Sequence, residues 1–198
     1  ETDMNFRKAY KPAIGYTPIC KIGECSLKRL EFGIIELEAG GVQNFSTEDK
    51  ETAFIILEGH VNVAFEDTRW ENIGNRSSVF ENQKAECFYM PKGKELSIEA
   101  IDHIKIAVCA TPTTEDTEPQ LLREDRVVVK VLGEQPFKRT TSFLFDGTTN
   151  AKFLTIGEGY INDGNWAGFP PHKHDVDDMP ITKSIESQSD SNVIDEIN

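Results

Sequence analysis

The pattern that decides the fold lies in Ala53-Phe54-Ile55-Ile56-Leu57-Glu58-Gly59-His60-Val61-Asn62-Val63-Ala64-Phe65. The first five residues are apolar throughout, and after Glu58-Gly59 the apolar residues Val61, Val63 and Phe65 alternate with other types. Strict alternation is typical of a strand with one buried face, because successive side chains point to opposite faces. The stretch therefore predicts two strands joined by a glycine turn in a hairpin.

Further strand patterns recur on both sides of this stretch at short, even spacing. They cover residues 27–37, 78–80, 87–90, 96–100 and 104–108, with Gly, Pro and Asn between them. No segment has a helical period, whereas the polar residues 1–26 predict an irregular lead. Many short strands with turn residues between them predict an all-β sandwich or barrel, most naturally a jelly roll.

The chain after this barrel divides into three further parts. Residues 111–125, TPTTEDTEPQLLRED, are polar without an apolar period and predict a linker. Strand patterns resume at 126–132, 138–145 and 151–157. We therefore predict a first barrel over 1–110, a linker over 111–125 and the start of a second barrel over 126–180. Residues 181–198 are rich in Ser, Asp, Asn and Glu, a composition that does not bury a strand.

Charge and composition exclude several classes of partner. The formal net charge of −13 argues against nucleic acid or an anionic membrane, since both are bound through clustered Lys and Arg. No apolar run approaches the roughly 20 residues that span a bilayer, so we expect a cytoplasmic protein. The four cysteines form no C-x-x-C pair and predict reduced thiols, with a Cys20–Cys25 bridge as the alternative.

A candidate metal site lies in residues 164–175, GNWAGFPPHKHD. His172 and His174 are separated by one residue, so in an extended segment both imidazoles point to the same side. Pro170 and Pro171 stiffen the approach to the pair. Neutral imidazole suits zinc, manganese, iron or nickel, and a site normally adds a carboxylate and a third nitrogen. A surface H-x-H without a metal is the alternative.

The same residues carry a resemblance to a known family. GNWAGFPPHKHD resembles the GNWSSYPPHKHD signature of the bacterial 5-deoxy-glucuronate isomerases of inositol catabolism, relatives of the 5-keto-4-deoxyuronate isomerases. Two other blocks agree with this resemblance. RSSVF at residues 76–80, followed by FYMPKG at 88–93, is similar to the family's R-x-x-V-F…Y-V-P-P-G segment. GYTP at residues 15–18 is also similar to a segment of the family. The resemblance covers about residues 16–178.

This resemblance implies a fold, an activity and a cofactor. The family is bicupin, so we expect a cupin (jelly-roll) barrel followed by a second cupin that is incomplete here. The expected function is a metal-dependent intramolecular oxidoreductase, an isomerase that converts 5-deoxy-glucuronate, a small sugar acid, into 2-deoxy-5-keto-gluconate. The implied cofactor is a divalent metal, zinc or manganese, with His172 and His174 as ligands. In the first barrel the matching segment, Gly41 to Phe45, has no histidine, so we expect this barrel to lack metal.

The sequence departs from the family after His174. The family's E-E-x-Y-Y strand and later histidine are not found among the residues that follow, and no catalytic base is identified. Two alternatives to the isomerase therefore stay open. One is a truncated, catalytically inactive cupin or sugar-binding module that lacks a complete metal site. The other is a structural cupin whose open second barrel is completed by another copy, which would make the protein a homo-oligomer.

A few isolated side chains have two interpretations. His60 and His103 stand alone in strand patterns, which favours packing or solvent exposure over a binding role. Arg76 favours a structural ion pair, with bidentate binding of a substrate carboxylate as the alternative. Trp166 favours packing at the barrel mouth over lining a sugar pocket.

Overall fold

The computed structural model describes residues 9–24, 27–81 and 83–168, of which about half are in β-strands. The chain divides into two compact units, residues 1–126 and 127–198. Within the described part of the chain, no helix has the length and apolarity that crossing a bilayer would require. The two units are described separately below.

Unit 1 is built from two antiparallel sheets. Its strands are β1 Gly15–Cys20, β2 Glu31–Leu37, β3 Val42–Ser46, β4 Lys50–Glu58, β5 Val61–Phe65, β6 Thr68–Ile73, β7 Cys87–Met90, β8 Glu95–Ala100, β9 Ile104–Pro112 and β10 Gln120–Leu122, followed by a 3₁₀ turn at Glu124–Arg126. One sheet has the order β1-β2-β9-β4-β7-β10 and the other β3-β8-β5-β6. One hydrophobic core draws Ile35 and Phe54 from the first sheet and Val63 and Ile98 from the second. The all-β cupin prediction is thereby confirmed, while the bicupin arrangement stays a prediction.

The hairpin predicted for residues 53–65 is wrong, although both strands are present. β4 is hydrogen-bonded on both sides, to β7 and β9, so it has no edge left for β5. β5 instead pairs with β6 and β8 in the opposite sheet, where Val63 lies opposite Ile98. Gly59 has a φ of 80°, a left-handed conformation that glycine adopts without steric cost. The turn therefore carries the chain from one sheet to the other and holds the two together.

Burial follows the position of each strand. In β5, Val61 and Val63 are fully buried while Asn62 and Ala64 are partly exposed, which is the alternation expected of a strand with one face in the core. Residues 51–56 of the central strand β4 are all buried, as is typical of a strand covered on both faces.

Three local predictions differ from the structure. The lead contains the edge strand β1, which pairs with β2 and shifts register between Pro18 and Cys20. Residues 78–80 form a turn and not a strand, because Ser78 Oγ accepts a hydrogen bond from Phe80 N at 3.2 Å and Ser78 O accepts one from Glu81 N at 3.1 Å. Strand β10 lies within the stretch 111–125 that was predicted as a linker, and it pairs with β7.

A continuous row of aromatic rings runs through the interior of unit 1. Phe45 lies edge-on between Tyr16 and Phe54, with centroid distances of 5.2 Å to each. Phe54 stacks on Phe88 at 4.5 Å, and Trp70 lies 6.2 Å from Phe88. Offset and edge-on pairs of this kind add about 0.5 to 1.5 kcal/mol each beyond their burial. The row forms much of the core between the two sheets.

The cysteines agree with prediction at two positions. Cys87 and Cys109 are thiols that form no disulfide, and burial raises the pKa of Cys109 to about 11. Cys20, at the end of β1, is disulfide-bonded, so the prediction of a reduced thiol is wrong there. Cys25, its partner in the alternative bridge, lies outside the described residues.

Unit 2 contains a three-stranded antiparallel sheet among its described residues. Its strands are β11 Val128–Leu132, β12 Arg139–Phe145 and β13 Ile156–Ile161, in the order β11-β12-β13. The strand predicted at 151–157 thus begins later, at Ile156. Val128, Val131 and Ile161 are 50%, 60% and 45% exposed. This sheet leads into the segment that carries the histidine pair.

Candidate functional site

The histidine pair predicted as metal ligands, His172 and His174, lies outside the described residues. The structure describes the start of the same motif, up to Gly168. Among the residues that it does describe, no group of three or more His, Cys, Asp and Glu side chains is arranged to hold a metal ion. The two histidines therefore stay a prediction.

The start of the motif is fixed to the loop between β11 and β12. Asn165 Nδ2 donates a hydrogen bond to Lys138 O at 2.9 Å, and Trp166 N donates one to Pro136 O at 2.8 Å. Asn165 N also donates to Asn162 O at 3.1 Å, which closes the turn after β13. The Trp166 side chain is 64% exposed, so the predicted packing of this ring is wrong. Its backbone, and not its ring, is what anchors the segment.

In unit 1, the positions that match the metal-binding segment of a cupin make other contacts. Gln43 Oε1 accepts a hydrogen bond from Tyr16 N at 3.0 Å, and Phe45 belongs to the aromatic row. Glu51 is fully buried and accepts a hydrogen bond from Tyr89 Oη at 3.0 Å. Burial, with the charge and hydrogen bond of Glu51, raises the pKa of Tyr89 despite an opposing bond from Thr117. These side chains act in packing and in a buried polar network.

The turns next to these positions are tied together. The side chain of Thr47, between β3 and β4, donates a hydrogen bond to Pro91 O at 2.8 Å and accepts one from Lys94 N at 2.8 Å. Thr47 N also donates to Lys94 O at 2.9 Å. Since Pro91 and Lys94 belong to the turn between β7 and β8, these bonds close this end of the barrel.

The opposite end of the barrel contains a cavity of about 260 Å³, which we call the end cavity. It lies where the β4–β5 turn, the β8–β9 turn and the start of the β6–β7 connection meet. Its lining residues are Glu58, Gly59, His60, Arg76, Ser77, Asp102 and His103. Five of these seven residues carry an ionisable side chain.

Asp102 joins two of these turns through His60. Its Oδ1 accepts a hydrogen bond from His60 N, and its Oδ2 lies 2.7 Å from His60 Nδ1. Desolvation by itself would raise the pKa of Asp102, but the hydrogen bonds and charge of His60 outweigh it and lower the pKa. Because a carboxylate accepts hydrogen bonds, this contact favours the proton on Nδ1 and leaves Nε2 as the second polar atom of the ring.

Arg76 lines the cavity, but its side chain is buried and is bound to the protein itself. Arg76 is 2% exposed, and its Nη2 donates a hydrogen bond to Ile56 O at 3.1 Å. Its carbonyl accepts one from Gly59 N at 2.9 Å, so the side chain and backbone of one residue hold both β4 and the turn after it. The structural interpretation of Arg76 thus accounts for its contacts on β4.

The isolated histidines have partners that the sequence analysis missed. His103 Nε2 lies 3.4 Å from Glu36 Oε1, and its side chain is 44% exposed. Asp102, the partner of His60, is 42 residues away in the chain. Only the neighbouring Asp102-His103 dipeptide in a predicted turn could have indicated it.

Comparison with known proteins gives consistent similarities. The chain matches the KduI/IolB family over residues 8–190. It is 30% identical over 162 residues to the 5-deoxy-glucuronate isomerase of Halalkalibacterium halodurans, covering 81% of this chain and 60% of that protein. It is 29% identical over 161 residues to the enzyme of the same name from Bacillus subtilis (strain 168), covering 81% and 59%. The chain thus spans about 60% of the length of these relatives.

Solved structures give the same fold. An IolB-like protein from Salmonella typhimurium LT2 is similar with a TM-score of 0.73 and 25% identity, over 78% of this chain and 59% of that one. A putative glyoxylate-induced protein from Pseudomonas aeruginosa has a TM-score of 0.51 at 11% identity, covering 71% and 54%. At that identity the second similarity concerns the fold alone.

Proposed function

Because the chain belongs to the KduI/IolB family, we propose that it acts as an aldose–ketose isomerase that converts 5-deoxy-glucuronate into 2-deoxy-5-keto-gluconate. The observation that carries the proposal is the match to this family over residues 8–190, together with relatives that are named 5-deoxy-glucuronate isomerase. This reaction would place the protein in the catabolism of inositol and in the cytoplasm. Its substrate would be a small sugar acid.

The reaction needs a proton transfer between adjacent carbons. A carbonyl becomes a hydroxyl through an enediol, whose negative charge has to be stabilised while a general base moves the proton. We propose that His172 and His174 supply two of the ligands of a divalent cation. The donor chemistry of two neutral imidazoles fits zinc or manganese. Such a cation would supply Lewis-acid stabilisation of that charge.

The described residues contribute to the position of this pair. Asn165 and Trp166 are bound to the β11–β12 loop through Lys138 and Pro136. This fixes the chain a few residues before the two prolines. We propose that Asn165 is a positioning residue for the motif. Its replacement by Ala should lower metal affinity without removing a ligand.

The experiment that tests the proposal combines turnover with metal content. The chain is purified without a histidine tag, supplied with zinc or manganese, and assayed with 5-deoxy-glucuronate. Activity and near-stoichiometric metal in the parent chain, both lost in the His172→Ala/His174→Ala variant, are the expected result. His103→Ala is the matched control, since it removes a histidine outside the motif and should keep both. Turnover that survives in the double variant would contradict the role of this pair.

A second candidate is a catalytically inactive cupin that binds a sugar acid. It is favoured by the sequence after His174, which lacks the family's E-E-x-Y-Y strand. Binding of 5-deoxy-glucuronate without turnover, at any metal concentration, would favour this candidate over the isomerase.

We also propose that the protein forms a homo-oligomer through unit 2. Val128 and Val131 on the edge strand β11, and Ile161 on β13, present exposed apolar side chains. An edge strand with such side chains invites pairing with another chain. Sedimentation should give a dimer or larger species that Val128→Lys/Val131→Lys dissociates. A monomeric parent chain would contradict the proposal.

A further inference from the structure

One face of the three-stranded sheet of unit 2 presents apolar side chains to solvent, and we call it the open face. The strand register places nine positions on it, because directly paired residues of neighbouring strands point to the same side. These positions are Val128, Lys130 and Leu132 on β11, Arg139, Thr141 and Phe143 on β12, and Gly157, Gly159 and Ile161 on β13. Val128 is 50% and Ile161 45% exposed, whereas Ser142, on the opposite face, is 3% exposed.

The open face is basic, although the chain as a whole is acidic. Its charged side chains are Lys130 and Arg139, and the three strands contain a single acidic residue, Glu158, which alternates to the opposite face. Lys130 Nζ lies 5.4 Å from the centroid of the Phe143 ring, so a cation and an aromatic ring are next to each other. The whole chain has 34 acidic and 21 basic side chains. This face therefore favours a partner that has both carboxylates and apolar side chains.

Two glycines leave much of β13 bare on this face. A Cβ at Gly157 would lie 2.8 Å from Ser142 O, so this position has to stay without a side chain. A Cβ at Gly159 would have nothing within 4 Å, so the space above that residue is open. Glycine within a strand often marks a place where another backbone approaches closely. The open face thus has a shallow strip along β13 in which an extended segment can lie.

The chain contains a segment with the matching chemistry. Residues 175–198, which lie outside the described residues, carry seven acidic side chains against one lysine, and seven Val, Ile and Met side chains. The chain approaches this segment from one end of the open face, since Asn165 Nδ2 donates a hydrogen bond to Lys138 O, next to Arg139. The ten residues from there to Asp175 can span about 33 Å when extended, more than the length of about 20 Å along these strands. A segment of the same chain has an effective concentration in the millimolar range, so weak contacts are enough.

We propose that residues 175–198 dock on the open face of unit 2, with their carboxylates beside Lys130 and Arg139 and their aliphatic side chains on its apolar positions. This contact would hold the chain after the histidine pair, as Asn165 holds it before the pair. It uses the face of the sheet, whereas the oligomer proposed above uses the edge of β11, and it needs no metal. The docking, the oligomer and the isomerase activity can therefore fail separately.

Cleavage of the full chain by Glu-C protease after Glu186 measures how often the segment is undocked, because proteolysis follows the population of the open form. Mass spectrometry follows this cleavage, and a synthetic peptide of residues 175–198 gives the rate for an undocked segment. We expect the full chain to be cleaved about tenfold more slowly than the peptide. Lys130→Gln/Arg139→Gln should raise the rate in the full chain about fivefold, since two ion pairs are lost.

Two further variants make the test specific. Lys138→Gln/Lys152→Gln, with the same change of charge outside the open face, is the matched control and should change the rate by less than about twofold. Asp190→Asn/Asp195→Asn changes the segment itself, so it keeps the test valid even if the sheet variant fails to fold. It should raise the rate about as much as the sheet variant, and the two combined should have less than the product of their separate effects.

Several results would overturn the docking proposal. These are cleavage of the parent chain at the rate of the peptide, equal effects of the sheet variant and its control, and effects of the sheet and segment variants that simply multiply. Protection that grows with protein concentration would also overturn it, because the segment would then come from a second copy of the chain.

Discussion

Replacing Arg123 should destabilise unit 1 substantially, although its side chain is partly exposed. Arg123 Nη1 lies 2.7 Å from Glu86 Oε2, and the same guanidinium donates to Asn72 O at 2.6 Å and to Glu71 O at 2.8 Å. Glu86 is 6% exposed, and its Oε2 also accepts a hydrogen bond from Gly74 N at 2.9 Å. Arg123, which directly follows β10, thus binds residues on both sides of the β6–β7 connection.

The magnitude follows from the charge that Arg123→Met leaves behind. Removing one partner of a buried ion pair costs about 3 to 5 kcal/mol, because the other charge is stranded. The Arg123 side chain is 38% exposed, so water partly replaces it, and we expect a loss of about 2 to 3 kcal/mol. In Arg123→Met/Glu86→Gln the stranded charge is gone while the amide can still accept from Gly74 N. That double variant should lose about 1 kcal/mol less than Arg123→Met alone.

Urea unfolding followed by tryptophan fluorescence measures this loss of stability in unit 1. The chain has two tryptophans, and a Trp166→Phe background leaves Trp70, which packs against Phe65 at 4.8 Å. With a slope of about 2 kcal/mol per molar urea, Arg123→Met should lower the midpoint by about 1 to 1.5 M. Arg69→Met is the matched control, since Arg69 forms exposed pairs with Glu71 and Glu99 that contribute little. Equal midpoint shifts for the two variants, or a double variant less stable than Arg123→Met, would refute this account of the ion pair.

Three further predictions concern unit 1. Gly59→Ala should lower the free energy of unfolding in urea by about 3 kcal/mol or more, and Gly23→Ala by only about 1 kcal/mol. Both glycines have a positive φ, but of the two only Gly59 has neighbouring atoms that a Cβ would meet. Equal losses would count against the close approach of the two turns. The lowered pKa of Asp102 adds stability above the pKa of the unfolded chain, and this stability is lost as pH falls through the pKa of the folded chain. Asp102→Asn should therefore make the free energy of unfolding less dependent on pH below about pH 4. An unchanged pH dependence in this range would disprove the link to His60. Because the pKa of Cys109 rises from 9.0 to about 11, its thiolate fraction at pH 8 falls about 100-fold. Labelling of Cys109 by iodoacetamide, measured by mass spectrometry, should therefore be far slower in the folded chain than in the unfolded chain. Equal rates would contradict the burial of this thiol.

Sequence periodicity predicted most strands of unit 1 but not their partners. The alternation of Val61, Val63 and Phe65 identifies a strand and its buried face, and the structure agrees. It carries no information on which neighbour supplies the hydrogen bonds, so the two strands around Gly59 were paired with each other when they belong to different sheets. Pairing depends on which edges are free, and that is decided by strands far away in the chain.

One of the missed strands, β1, and the false strand at residues 78–80 have local causes. The segment at β1 contains Pro18, and proline argues against a strand except at an edge, which is where β1 lies. Residues 78–80 have an apolar pair, Val79 and Phe80, but the serine before them bonds to the backbone and favours a turn. The result is that Phe80 is 92% exposed.

The candidate sites were predictable to different degrees. The histidine motif is visible in the sequence because its residues are adjacent, and so is the family resemblance that gives it a role. The end cavity was not predictable, because Asp102 meets His60 across 42 residues and Arg76 reaches the cavity from a third segment. Sites assembled from separate turns depend on the strand order, which the periodicity does not reveal.

The two ends of the first barrel explain why the cavity lies where it does. At one end, Thr47 ties the β3–β4 turn to the β7–β8 turn, while Phe45 and Tyr16 fill the interior beside it. At the other end, the step from β4 to β5 brings polar turns together around Gly59, where Asp102 contacts both the backbone and the side chain of His60. The two ends are therefore held by different contacts, aromatic packing beside Thr47 and polar hydrogen bonds around Gly59. If this reasoning holds, Phe45→Ala should reduce the stability of unit 1 by several kcal/mol while leaving the imidazole NMR signals of His60 unshifted. Shifted His60 signals in a folded Phe45→Ala chain would mean that the two ends are coupled through the core.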